Sequence, residues 1–128
     1  MRVEGWEALL ASHFNARPFE WGRNDCALFA ADWVRKCTGT DHAKGWRGKY
    51  STEKGAKIKL TRAGFASVEA IADSCLASRP LGFASRGDVV LHPQGALGVC
   101  NGLKSHFLTA EGMTTFDTLA CTKAWGVD

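Results

Sequence analysis

The hydrophobic period of this chain changes once, near residue 86, and that change limits what it can fold into. Upstream, the spacing of Trp6, Leu9, Leu10, His13 and Phe14 predicts a helix over 4–15, closed before Pro18. Cys26, Phe29, Ala30, Trp33, Val34 and Cys37 fall at steps of three and four and predict a second helix over 25–37. Asn24 or Asp25 stands at its N-cap and Gly39 at its stop. Ser51 or Thr52 opens a third helix to about Arg62, and a fourth runs from about Ser67 to Leu76. The following SRPLGFASRG stretch, 78–87, reads as a loop. Beyond it the period is two: DVVLH, ALGVCN, HFLTA, MTTFD and CTKAWGV predict short strands separated by Gly-containing turns. Helices followed by an antiparallel meander is the order of an α+β fold, with N-terminal helices packed on a C-terminal antiparallel sheet.

Composition removes several classes. At 128 residues the chain has the length of one domain, and 45% apolar with 23% charged residues is the balance of a globular core. No stretch reaches the roughly 20 apolar residues of a membrane span. Glu4, Glu7 and His13 interrupt the N-terminal apolar pattern, so a signal-peptide core is not expected. Cysteines at 26, 37, 75, 100 and 121 are odd in number and form no CxxC pair. That argues against a disulfide framework and against a metal centre. No cofactor is expected.

Cys26 opens the most periodic helix. A thiol in a first turn faces unpaired backbone N–H groups, which lower its pKa and favour the nucleophilic thiolate. The competing reading is a small buried apolar side chain.

The blocks WGRNDC…F…AD at 21–32, RGDVV at 86–90 and ALGVCNG at 96–102 together resemble, in order, the NlpC-type cell-wall cysteine peptidases. With RGKYST at 47–52 and the AW-containing end, the chain is most similar to small NlpC-like proteins of phages and prophages. The resemblance spans most of residues 1–128 and implies a single papain-like, NlpC-like domain with Cys26 in the nucleophile's place. It implies a general-base histidine at the start of the second strand of the meander, where this chain has Ala96. His92, joined to Ala96 by the three residues Pro93, Gln94 and Gly95, is the expected substitute. His106 is expected in the third, orienting position of the family's triad or as an alternative base, with Thr109 as the competing alignment. His13 and His42 lie outside the matching blocks. Asp88 is expected to accept backbone hydrogen bonds at a strand start. Gly98 is expected to admit the helix carrying Cys26.

Lys44, Arg47, Lys49, Lys54, Lys57, Lys59 and Arg62 stand against the single acid Glu53, with Trp46 and Tyr50 interleaved. A solvated face with a docking loop is the first reading of this run, and stacking of nucleic-acid bases the second. Trp46, Arg47, Lys49, Tyr50 and Trp125 are the expected binding residues, because the chain has more large rings than a small core readily covers. The expected function is a structural protein of a phage or prophage tail, located in the virion and partnered by other tail proteins. The alternative is a peptidoglycan-cleaving cysteine peptidase using Cys26 with His92 or His106. The third is nucleic-acid binding through 44–62.

Overall fold

A computed structural model describes residues 1–128. Four helices come first: α1 (Trp6–His13), α2 (Cys26–Thr38), α3 (Glu53–Arg62) and α4 (Val68–Cys75). Six strands follow: β1 (Ala77–Arg79), β2 (Val89–Leu91), β3 (Leu97–Cys100), β4 (Lys104–Thr109), β5 (Gly112–Asp117) and β6 (Lys123–Gly126). They form one sheet in the order β1-β6-β2-β3-β4-β5, with every neighbouring pair antiparallel. The α+β order read from the change of period is the observed one.

Two boundaries moved for local reasons. α1 begins at Trp6 rather than 4 because Gly5 is left-handed, φ 80°, which no right-handed helix accommodates. Residues 77–79, the last two of which fall in the stretch that reads as a loop, form β1 and pair with Gly126, Trp125 and Ala124 of β6. Three residues with no alternation carry no strand signal. They pair because β6 would otherwise end the sheet unprotected.

α2 is capped as its sequence dictates. Asp25 accepts from Leu28 N at 2.9 Å, and Gly39 turns left-handed at φ 85° to end the helix. Its apolar face lies on β3 and β4. Phe29, Trp33, Val34 and Cys37 join Leu10, Val89, Leu91, Leu97, Val99, Leu108 and Trp125 in the main core. Each large side chain so buried contributes roughly 1.5–3 kcal/mol. Trp33 Nε1 donates to Gly87 O at 2.7 Å and fixes the helix against the start of β2.

The strand period sorts residues between two layers. Val89, Leu91, Leu97 and Val99 face the helices, whereas Val90, Cys100, Phe107, Cys121 and Ala124 form a second cluster on the opposite face. Gly98 belongs to that opposite side. A Cβ on it would sit 2.3 Å from Phe107 Cε2, so Gly98 makes room for a neighbouring strand's ring and not for α2.

Asp88 is fully buried and closes the chain on itself. Its carboxylate accepts from Arg2 at 3.0 Å, Arg79 at 2.9 Å, Ser85 N at 3.0 Å and Val127 N at 3.4 Å. The structural role expected of it is met, with two guanidinium groups added. No helix is long and apolar enough to cross a membrane.

Candidate functional site

Two sequence blocks 25 residues apart build the ground on which Cys26 stands. Gly22 is left-handed, φ 83°, and a Cβ there would lie 1.9 Å from Tyr50 O, so only glycine lets the two segments touch. Gly48 N donates to Gly22 O at 2.9 Å. Tyr50 Oη donates to Asp25 Oδ2 at 2.5 Å, and Gly22 N donates to the same oxygen at 3.0 Å. Asp25, 1% exposed, is therefore both the cap of α2 and the bolt between the loops. Burial and the neighbouring carboxylate push the Tyr50 hydroxyl far above its usual range, so it stays a donor. The WGRNDC and RGKY blocks are one structural unit. Each was legible in the sequence; the contact between them was not.

Cys26, partly buried at the first turn of α2, opens onto a cavity of about 610 Å³ bounded by α2, α3, α4 and the β2–β3 turn. Along α2 it runs past Ala27, Ala30 and Ala31 to Val34. That is about 12 Å of helix. Trp21, Trp46, Leu60, Val68, Ile71 and Leu97 supply most of its apolar wall, and Lys57, Glu53, Gln94 and His42 give it polar edges. Its volume lies within the range of about 300–1,000 Å³ found for binding sites.

The thiol is not activated. Burial is the largest effect and, with the adjacent Asp25 carboxylate, pushes Cys26 up to about 11. The backbone N–H groups of Ala27, Leu97 and Cys26 pull the other way and lose. The expected lowering at the helix N-terminus is thus reversed. A helix start inside an apolar cavity brings desolvation with its dipole, and Asp25, the residue that caps the helix, places a negative charge beside the sulfur.

The strand register also corrects the position expected for the base. Ala96 packs with the second cluster, on the sheet face away from α2. Leu97 is the β3 residue that lines the cavity with Cys26. A leucine cannot carry a proton any more than an alanine can. His92 lies on the far side as well: its ring is 5.4 Å from Phe107 and 4.3 Å from Phe116, and its Nδ1 accepts from Gln94 N at 3.0 Å. It caps the turn to β3. His106 is on the helix side, opposite Val99, but stacks on Phe14 at 3.9 Å and does not line the cavity. Burial holds it below its usual pKa. Thr109 pairs with Gly112 at the β4–β5 turn. The histidine that does line the cavity is His42, at the Val34 end, beyond the C-terminus of α2.

The expected binding residues divide. Trp125 is 0% exposed and donates from Nε1 to Asp73 at 3.0 Å, so it is core and not surface. Arg47 pairs with Asp32 at 2.6 Å and Asp41 at 2.9 Å, anchoring the 41–48 loop to α2. Trp46 and Tyr50 are half-buried: Trp46 lines the cavity with Lys59 Nζ 5.1 Å over its ring, and Tyr50 lines it while bonded to Asp25. Lys49 alone of the five is exposed. Phe83, 75% exposed, is the ring that stays open to solvent.

One family model, described as Domain of unknown function (DUF6950), matches residues 1–127, and the chain belongs to that family. No curated protein and no solved structure matches it.

Proposed function

We propose that this member of the family is a non-hydrolytic structural component of a phage or prophage tail, built on an NlpC-like cysteine-peptidase scaffold that keeps the nucleophile's position without its chemistry. The observation that carries the reading is the side chain beside Cys26: Leu97 stands where a proton carrier would be needed, and both His92 and His106 are engaged outside the cavity. Peptide cleavage requires a thiolate and then a proton for the departing nitrogen. A thiol raised to about 11 is almost wholly protonated at neutral pH, and Leu97, the β3 side chain beside it, has no proton to give a leaving group. General acid–base assistance is worth about 100- to 10,000-fold, so its absence removes catalysis at a peptidase's rate. What remains is a recessed apolar cavity on a well-packed frame, which suits attachment.

The enzymatic half of the reading is tested by incubating the protein with purified peptidoglycan fragments beside a Cys26→Ala variant and following released peptides by mass spectrometry. Neither should release any. Cleavage by the parent that the variant lacks would establish the peptidase alternative. The tail assignment is tested in a prophage that encodes the chain. Deletion should abolish infectious particles, Cys26→Ala should restore them, and the protein should be found in purified virions. Particles that form normally without it would refute the assignment.

A further inference from the structure

The two edges of the sheet are built differently. β1 is three residues long, ends in Arg79 and is followed by Pro80. Shortness, a charge and a proline are means by which an edge strand avoids further pairing. β5 uses none of them. Its six residues pair with β4 from Gly112 opposite Thr109 to Asp117 opposite Lys104 without a bulge, and Gly112 to Phe116 carry neither charge nor proline. Thr114, Thr115 and Asp117 are exposed.

Hydrogen bonding within the ladder fixes which backbone groups point outward. Residues of an antiparallel strand bond alternately to the neighbour on either side. Lys104 O accepts from Asn101 N at 2.8 Å on the β3 side, and Leu103 O accepts from Thr118 N at 2.9 Å on the β5 side. Gly112, Thr114 and Phe116 therefore bond to β4. The N–H and C=O groups of Met113 and Thr115, and the N–H of Asp117, point away from the sheet. Side chains alternate in step: Met113 packs toward the main core beneath the helices, and Phe116 against the second cluster on the far face.

We infer that β5 pairs antiparallel with β5 of a second copy of this chain, about a two-fold axis at Thr115, so that the two sheets join edge to edge. An axis normal to the sheet keeps the helices of both copies on one face, so Met113, Thr115 and Asp117 meet residues of that same set. Centred on Thr115, the copies exchange both backbone bonds at that residue, and Asp117 N of each donates to Met113 O of the other. Thr115 then faces Thr115, and Thr114 faces Phe116 of the other copy. Both are cross-strand pairs of stabilising kinds. Centring on Thr114 instead sets Asp117 directly against Glu111 of the other copy on both sides of the axis, and like charges so placed disfavour that register. A second copy matches the alternation of β5 by symmetry, and the isologous contact closes at two chains. The edges that remain are the two protected β1 strands.

A contact made by one strand belongs to the weak end of specific interfaces, so the test is sedimentation velocity of the full-length protein in a series reaching about 1 mM. The 13.8 kDa chain should sediment as a monomer when dilute and as a dimer at the top of the series. Thr115→Pro removes an N–H that β4 does not use, a change edge strands tolerate. It should weaken association by about tenfold or more, since each copy loses a bond it donates. Thr115→Lys and Thr115→Glu should each be monomeric, because like charges then meet on the axis, and an equimolar mixture of the two should recover the dimer. Circular dichroism establishes that the variants are folded, and where Thr115→Pro fails to fold the Lys and Glu variants decide. Phe83→Ser removes the most exposed ring, leaves β5 unaltered and should associate as the parent does. A monomer at every concentration overturns the proposal, and so does open-ended assembly. A dimer that survives Thr115→Pro, or is lost in Phe83→Ser, places the contact elsewhere and overturns it too. Lys and Glu variants that stay monomeric when mixed would show that the two Thr115 side chains do not face each other, which refutes the axis.

Discussion

At Cys26 two effects of known sign oppose each other, and the local pattern shows only one of them. A helix N-terminus favours thiolate. Desolvation and the Asp25 charge disfavour it and prevail, leaving the thiol near 11. Alkylation by iodoacetamide at pH 7.4, read by peptide mapping, should therefore proceed at Cys26 on the order of 100-fold slower than at a free cysteine and accelerate up to about pH 11. Labelling as fast as a free thiol at neutral pH would show that the site is ionised after all. Asp25 invites a second measurement. Tyr50→Phe removes one donor from a buried carboxylate and should cost about 1–3 kcal/mol in urea unfolding. Gly22→Ala, which meets both a positive φ and the Tyr50 carbonyl, should cost more than Tyr50→Phe. The reverse order would mean that the loop clasp is not held as described.

Among the elements, α2 and α3 are opposites. α2 has a side-chain cap, a glycine stop and a continuous buried face, so propensity, pattern and packing agree. α3 has a capped start and a basic surface but nothing buried. Stability is not uniform in such a fold, and the least packed element opens first. Native-state hydrogen exchange should place the amides of α2 near the global unfolding limit and those of α3 at least tenfold above it in exchange rate. Equal protection would mean that α3 is packed as tightly as α2.

Over the whole molecule, His13 sets a pH limit. It is fully buried between α1 and α2, with Nε2 donating to Phe29 O at 2.9 Å and Nδ1 facing Lys36 Nζ at 3.1 Å and Arg17 at 3.5 Å. Burial, with those two cations, lowers it to about 4. The unfolded chain binds this proton at about 6.5 and the folded chain only near 4, so stability is full above pH 6.5 and falls as pH drops toward 4. The loss is on the order of 3 kcal/mol. Urea midpoints measured from pH 7 to 4 should decline, and His13→Gln should flatten that decline. A parallel decline in both proteins would assign the acid sensitivity to carboxylates. The change of period near residue 86 determined the fold class. The 3.6- and 2-residue repeats determined four helices and five of the six strands, because each encodes which side of an element is apolar. The cap at Asp25 and the stop at Gly39 were equally local. Tertiary structure decided the rest. β1 exists because an unprotected sheet edge borders it. Trp125 is core because β6 lies between β1 and β2, with its ring under α4. The side chain opposite Cys26 is Leu97 and not Ala96 because strand side chains alternate between faces. Motif order leaves that one-residue register open, and pairing of β3 with its neighbours settles it.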